Sequence, residues 1–181
     1  MGYRSGFFRP NSLRLKGHDY SKVGFYFVTI CTQGNHTIFG RIRNGIMKLN
    51  ENGRITETCL INLSNHYANM ELDTYTIMPN HVHVIFRLYD PDVGAGLKPA
   101  PTKIKRNHPM SEIIRGFKTF SSHHVNEIRN KPGEPVWQRN YYDRVIRDKK
   151  ELNRIRAYIR LNPKLWDERN NRFSIHPEIR K

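Results

Sequence analysis

The segment from Met78 to Leu88, with the sequence MPNHVHVIFRL, constrains the fold more than any other part of the chain. From Val82 onward its apolar residues recur at every second position, which predicts a β-strand with one buried face. That face would carry Val82, Val84, Phe86 and Leu88. His81 and His83 are then predicted on the opposite face, with their rings about one pleat apart. Two imidazoles so placed could hold one divalent metal ion, although half-exposed, hydrogen-bonded strand histidines would have the same pattern.

A predicted helix near the C-terminal end is the second constraint. Asp148 followed three residues later by Glu151 is a variant of the capping box that opens helices. The apolar positions Leu152, Ile155 and Ile159 recur at helical spacing and are predicted to face the core.

Tyr158 and Asn162 lie four residues apart on one side of this helix, beside its apolar stripe. A phenol held at the margin of the core could point into a site. Alternatively, Tyr158 is a packing residue with its hydroxyl in water, and Asn162 is a C-terminal cap before Pro163.

Taken together, these segments resemble a known family. A hydrophobic-His-x-His strand followed downstream by a helical Tyr is the pattern of single-tyrosine HUH transposases, which cut and join single-stranded DNA. The segments GFYFVTICTQ, MPNHVHVIF and VWQRNYYDRVIRDKKELNRIRAYIRLNP are similar to those of REP-associated tyrosine transposases in particular. The resemblance extends from about Arg14 to Trp166, apart from an interruption near residues 90–109.

The resemblance implies an α+β fold of the HUH endonuclease type, a ferredoxin-like antiparallel sheet with helices packed on it. It also implies a Mg²⁺ or Mn²⁺ ion bound by His81 and His83. Asn162 stands where related transposases have a Gln ligand, and an amide oxygen suits a hard cation. The metal would act on the scissile phosphate mainly as a Lewis acid.

The resemblance further implies that Tyr158 attacks a phosphodiester, becomes linked to the 5′ phosphate and frees a 3′ hydroxyl. A later attack by another 3′ hydroxyl would rejoin the strand. A phenol has an ordinary pKa near 10, so it needs activation at neutral pH. Tyr141 and Tyr142 are rival nucleophiles, but they lack the helical Asn partner.

The charge of the chain predicts a polyanionic partner. Its 31 basic and 16 acidic residues leave a formal charge of +15, which favours nucleic acid but would also suit a ribosomal or nonspecific nucleic-acid-binding protein. The family resemblance implies that this partner is single-stranded or hairpin DNA. The cations predicted to contact DNA are Arg14, Lys16, Arg115, Lys118, Arg139, Arg144, Arg147 and Arg154. Trp137, Tyr141 and Tyr142 could stack on bases, or pack beneath a charged rim.

The chain is predicted to form a single catalytic domain over residues 23–166. A basic arm or loosely ordered terminus would precede it at 1–22, a basic tail would follow at 167–181, and 90–109 would be a flexible insertion. No apolar run reaches the length of a membrane span, no secretion signal is evident, and two cysteines are too few for a disulfide framework. These features predict a soluble, cytoplasmic protein.

The remaining elements follow from local pattern. Strands are predicted at 25–32, 70–77 and 81–88, and a hairpin at 37–49 turns at Asn44-Gly45. Helices are predicted from Asn50 to about Tyr67 and from Ser111 to about Arg129. The core positions of the second helix are predicted to be Ile113, Ile114, Phe117, Phe120 and Ile128.

The functional prediction is a transposase or single-strand DNA endonuclease acting at hairpins of repetitive palindromic sequences. One alternative is a domesticated DNA-binding protein that has lost cleavage. Another is an HUH replication initiator, which the lack of a helicase-like extension disfavours. Monomer and homodimer both stay open. In insertion-sequence relatives the Tyr helix lies against the partner's histidines, whereas in REP-associated relatives it lies against its own.

Overall fold

The computed structural model of the protein describes residues 19–90 and 107–175. Its strands and helices are, in chain order, β1 (Gly24–Cys31), β2 (Gly40–Arg43), β3 (Ile46–Leu49), α1 (Glu51–Ile61), α2 (Leu63–His66), β4 (Met70–Met78), β5 (His81–Leu88), α3 (Met110–Arg129), β6 (Tyr142–Ile146) and α4 (Lys149–Ile175). Arg14, Lys16, most of the predicted N-terminal arm and most of the predicted insertion lie outside the described residues.

Four strands form the main sheet, in the order β4-β5-β1-β6, and every neighbouring pair is antiparallel. Helical segments connect β1 to β4 and β5 to β6, so the connectivity is that of a ferredoxin-like sheet. The central strand β1 has the sequence GFYFVTIC, whose aromatic and β-branched side chains suit a position between two neighbours. The predicted α+β fold class is confirmed.

The sheet has two differently covered faces. Tyr26, Val28, Val84 and Phe86 are among the buried residues of the larger core, which also includes Leu60 of α1 and Phe117 of α3. On the other face a smaller core joins Phe27, Ile85 and Ile146 to Leu152, Ile155 and Ile159 of α4. Because side chains alternate along a strand, His81 and His83 share the second face with Ile85. The predicted strand alternation and the apolar stripe of α4 are therefore confirmed.

Helix α4 runs through Pro163 to Ile175, so the alternative interpretation of Asn162 as a C-terminal cap is wrong. A proline inside a helix removes one backbone hydrogen bond, and here the helix continues beyond it. Asn162 is therefore not a cap, and the boundary predicted after Trp166 falls within the helix. The predicted opening of α4 is confirmed, since the Glu151 amide donates to Asp148 Oδ1 at 2.8 Å.

Two further expectations were wrong. Phe120 and Ile128 are 47% and 36% exposed rather than buried, because α3 turns Ser121 and Val125 to the core instead. The single helix predicted from Asn50 to about Tyr67 is divided into α1 and α2 at residue 62. Within the described ranges, no helix has both the length and the apolar character needed to cross a membrane.

The strands β2 and β3 form a separate two-stranded ribbon, as the Asn44-Gly45 signal predicts. Asn44 and Gly45 have φ of 53° and 71°, the positive values that a tight type I′ hairpin turn requires. The amide of Phe39, just before the ribbon, donates to the carbonyl of Pro79 at 3.1 Å. This bond ties the start of the ribbon to the turn that precedes His81.

A close backbone contact at Gly53 holds α1 against the chain segment before the ribbon. A Cβ atom at Gly53 would lie 2.2 Å from the carbonyl oxygen of Phe39. We expect Gly53→Ala to lower the free energy of unfolding by about 2 kcal/mol, because overpacking outweighs the better helix propensity of Ala. Thr58→Ala, at an exposed position of α1, is the matched control and should change it by less than about 0.5 kcal/mol. Urea unfolding measures both, and a Gly53→Ala variant as stable as wild type would contradict the contact.

Candidate active site

Two histidines face α4 at one end of the sheet. His81 lies opposite Cys31 in the register of β5 with β1, and His83 lies opposite Thr29. The Nε2 atoms of the two histidines are 3.1 Å apart, and His83 is only 6% exposed. The two rings therefore converge on one point, as the strand pattern predicted.

The Nδ1 atom of each histidine has a hydrogen-bonding partner, which fixes the orientation of the ring. His83 Nδ1 lies 2.8 Å from Thr29 Oγ1, and His81 Nδ1 lies 2.7 Å from Asn80 Oδ1. The Asn80 amide is oriented by its Nδ2, which donates to the carbonyl of Asn35 at 3.1 Å. Since Asn80 Oδ1 can only accept, His81 Nδ1 carries the proton and His81 Nε2 keeps its lone pair.

Neither of these supporting residues was predicted from the sequence. Asn80 could have been found, because it directly precedes His81. Thr29 could not, because its place beside His83 depends on the pairing register of two distant strands.

Burial keeps both rings uncharged. It lowers the pKa of His81 to about 4. Burial, followed by the nearby His81, lowers the pKa of His83 well below its ordinary value. Both imidazoles are therefore neutral at pH 7, the form in which histidine binds metals.

Tyr158 of α4 lies against this pair within the same chain. Its hydroxyl oxygen is 3.5 Å from His83 Nε2, and its ring packs edge-on against Phe27 with centroids 6.2 Å apart. Tyr158 is nevertheless 36% exposed. The phenol is thus held on one side by the core while its other side is open to a substrate.

Asn162 follows one helical turn after Tyr158 and is 7% exposed. The next turn brings Trp166, whose ring centroid is 5.8 Å from that of His81. Because residues four apart share a helix face, Asn162 is on the face of α4 that is turned toward the histidines. Trp166 is a further site residue that sequence analysis did not assign. In the described part of the chain, no three His, Cys, Asp or Glu side chains form a cluster that could bind a metal.

A half-buried ion pair docks α4 on its own sheet. Arg156 Nε donates to Asp73 Oδ1 at 2.8 Å, and a second guanidinium nitrogen donates to Asp73 Oδ2. Asp73 lies where the β4–β5 register shifts, between Leu72 and Thr74, and such irregularities redirect side chains. The hydrogen bond from Arg156 is the main cause that lowers the pKa of Asp73. The pair places Tyr158 and His83 of one chain together.

The described cations predicted to contact DNA fall into two groups. Near the start of α4, Arg144 and Arg154 both pair with Glu151, which also accepts from the Arg147 amide at 3.0 Å. The other group, Arg115, Lys118 and Arg139, lines a groove of about 380 Å³ between α3 and the segment before β6. None of these contacts brings either group against the histidine pair.

Two residues of the groove have structural contacts of their own. The ammonium of Lys118 donates to the carbonyls of Gln138 and of Arg139, the latter at 2.9 Å, and burial lowers its pKa. Trp137 is 5% exposed and donates through Nε1 to Ser121 Oγ at 2.9 Å. Trp137 is therefore a core residue, so for this residue the alternative of packing beneath a charged rim holds.

Comparison with known proteins gives three results, and no family model matches the chain. An uncharacterized protein of Haemophilus influenzae is 34% identical over 174 residues, or 92% of this chain and 94% of the relative. A candidate REP-associated tyrosine transposase of the same organism is 28% identical over 148 residues, or 80% of this chain and 73% of the relative.

The third result concerns the fold. A solved structure of a REP-associated tyrosine transposase bound to a REP hairpin superimposes with a TM-score of 0.55 at 18% identity. The match covers 81% of this chain and 70% of the other. The sequence relative and the shared fold both point to the proteins that the strand histidines and the helical tyrosine resemble. The chain therefore resembles the REP-associated tyrosine transposases in sequence and shares their fold.

Proposed function

We propose that this protein cleaves and rejoins single-stranded DNA beside hairpins, with Tyr158 as the nucleophile and a divalent metal ion at His81 and His83. The proposal depends mainly on one observation, the cluster that Tyr158 forms with His81 and His83 of the same chain. Tyr158 Oη lies 3.5 Å from His83 Nε2, which lies 3.1 Å from His81 Nε2. A nucleophile next to two neutral imidazoles is an arrangement that suits metal-assisted phosphoryl transfer.

The residues present fit a metal ion. Both imidazoles are neutral and buried, and His81 directs an unprotonated Nε2 toward His83 Nε2. The two Nε2 atoms lie 3.1 Å apart, close enough together that one metal ion could be bound by both. The Asn162 amide oxygen and a DNA phosphate would supply the oxygen ligands that Mg²⁺ and Mn²⁺ prefer. When bound, the ion would polarise the scissile phosphate as a Lewis acid.

The side chains of this protein would carry the remaining steps. The Tyr158 oxygen forms a bond to phosphorus as the bond from phosphorus to the 3′ oxygen breaks. The phenol loses its proton to solvent, and the departing 3′ oxygen gains one. The 5′ phosphotyrosine retains the phosphoryl group, so a second 3′ hydroxyl can displace Tyr158 without ATP.

Hairpin DNA is the proposed substrate. The solved family member of similar fold is bound to a REP hairpin, and the +15 charge of this chain suits a polyanion. A monomer is the proposed active form, since Asp73 and Arg156 dock the Tyr helix on the sheet that carries the histidines.

The test is covalent adduct formation with a synthetic DNA hairpin that has single-stranded flanks and a label at either end. With Mn²⁺ we expect the 3′-labelled strand to migrate with the protein on a denaturing gel, because the 5′ phosphate joins Tyr158. The 5′-labelled strand should be released as a shorter, free fragment. EDTA in place of Mn²⁺ should abolish both products.

Two outcomes would contradict the proposal. Tight binding without an adduct would indicate a DNA-binding protein that has lost cleavage. An adduct that retains the 5′ label would mean that the protein is joined to the 3′ phosphate, with the polarity reversed.

A further inference from the structure

The β2–β3 ribbon carries an unbalanced positive face. Its sequence from Gly40 to Leu49 is GRIRNGIMKL, with three cations and no carboxylate. Arg41, Arg43 and Lys48 are exposed, whereas Ile42 and Met47 between them are half-buried. Because side chains alternate along each strand, the three cations occupy one face of the ribbon.

The pairing of β2 with β3 places like charges opposite each other, which destabilises the ribbon. Arg41 lies directly opposite Lys48, and Arg43 lies opposite Ile46. Like charges at directly opposed positions destabilise a strand pair, and a two-stranded ribbon is only marginally stable by itself. The fold nevertheless keeps two cations opposed there, an arrangement that a bound polyanion would relieve.

Several arginines outside the ribbon pair with carboxylates of the same chain. Arg87, Arg129, Arg144, Arg154 and Arg156 each contact a carboxylate. No ion pair joins Arg41, Arg43 or Lys48 to a carboxylate elsewhere in the described parts of the chain. The ribbon cations are therefore available to an external anion.

The ribbon is fixed beside the candidate active site at two points. Its base is bonded to Pro79, two residues before His81, through the amide of Phe39. At its tip, the Gly45 amide donates to Asp167 Oδ2 at 2.7 Å, and Asp167 directly follows Trp166 of the site. A substrate seated at the histidine pair would thus extend past a rigidly held ribbon.

We propose that the exposed face of the β2–β3 ribbon binds the phosphate backbone of the paired hairpin stem while the strand end occupies the site. This inference rests on the proposed function, because it assumes a hairpin substrate. The paired stem is favoured over single-stranded DNA because the ribbon has no aromatic side chain on which an unpaired base could stack. Phosphate contacts of this kind hold DNA in position without reading its sequence.

The test compares two charge-matched double variants in a Tyr158→Phe background, so that only binding is measured. Arg41→Gln/Lys48→Gln removes two ribbon charges, and Arg87→Gln/Lys131→Gln removes two charges elsewhere. We expect the ribbon variant to bind a synthetic DNA hairpin about tenfold more weakly at about 0.1 M salt. The slope of log affinity against log salt should fall by about 2, since each lost phosphate contact removes about 0.9.

Three controls make the result specific. The ribbon variant should melt at or above the temperature of its parent, because the substitutions remove an unfavourable charge pair. Arg41→Lys, which keeps the charge, should retain hairpin binding. The ribbon substitutions should weaken the binding of a single strand that cannot form a hairpin less than they weaken the binding of a hairpin of the same length.

The inference is overturned if the ribbon variant matches the control variant in affinity and salt slope. It is also overturned if the single strand and the hairpin lose affinity equally. These binding outcomes are distinct from failure of the proposed chemistry, which would appear as an absent adduct in the wild type while the ribbon variant still weakened binding.

Discussion

Tyr158→Phe is expected to abolish the covalent protein–DNA adduct, a loss of at least about 10³-fold in the rate of adduct formation. The substitution removes only the attacking oxygen. The aromatic ring should keep its packing on Phe27 and His83, whose ring centroids lie 6.2 Å and 5.3 Å from that of Tyr158. The hydroxyl contact with His83 is long, at 3.5 Å, so the free energy of unfolding should change by less than about 1 kcal/mol.

Tyr142→Phe and Tyr141→Phe are the matched controls. Tyr142 also packs edge-on against Phe27, with centroids 6.3 Å apart, and Tyr141 lines the groove beside α3. Both variants should form the adduct as the wild type does. An adduct that persists in Tyr158→Phe and disappears in either control would move the nucleophile to that residue.

Asp73→Asn is expected to weaken both folding and catalysis, because it leaves the Arg156 guanidinium without its counter-charge. The Asp73 side chain is 10% exposed and that of Arg156 is 30% exposed. Breaking a fully buried pair costs about 3–5 kcal/mol, and partial exposure reduces this to about 2 kcal/mol here. Adduct formation should fall at least about tenfold, since α4 would hold Tyr158 less firmly at the histidines.

The effect should depend on pH in a defined direction. Arg156 holds the pKa of Asp73 below its ordinary value, so the folded state favours the carboxylate. The stabilisation is therefore present above the ordinary Asp pKa of about 4 and is lost as the pH falls through the lower folded-state value. The stability difference between wild type and Asp73→Asn should be equal at pH 7 and pH 5 and shrink below about pH 4.

Glu71→Gln is the control for this prediction. Glu71 lies on the same strand and pairs with Arg87, but their side chains are 51% and 48% exposed. Thermal and urea unfolding should show a change below about 0.5 kcal/mol, because exposed ion pairs contribute little. If Asp73→Asn changed the free energy of unfolding as little as Glu71→Gln does, the ion pair of Asp73 with Arg156 would not be the contact that docks α4.

The sequence by itself determined the parts of the protein that depend on neighbouring residues. Alternation in β5 placed His81 and His83 on the face opposite Val82 and Val84, and the apolar spacing of α4 placed Ile155 and Ile159 against the sheet. The Asn44-Gly45 turn and the capping pair Asp148 and Glu151 were likewise local. Strand and helix periodicity is a property of contiguous residues, so these features can be recognised without knowing the fold.

Only the tertiary structure decided which distant groups meet. Asp73 and Arg156 are separated by 83 positions, and an irregularity in strand pairing brings them together. The position of Thr29 beside His83 depends on strand register, and the core position of Trp137 depends on how α3 packs. Any arginine in the sequence could have paired with many carboxylates or with DNA. Packing selected the partners of Arg144 and Arg156 and left Arg41 and Lys48 facing outward, because long-range contacts follow from the geometry of the whole chain rather than from local pattern.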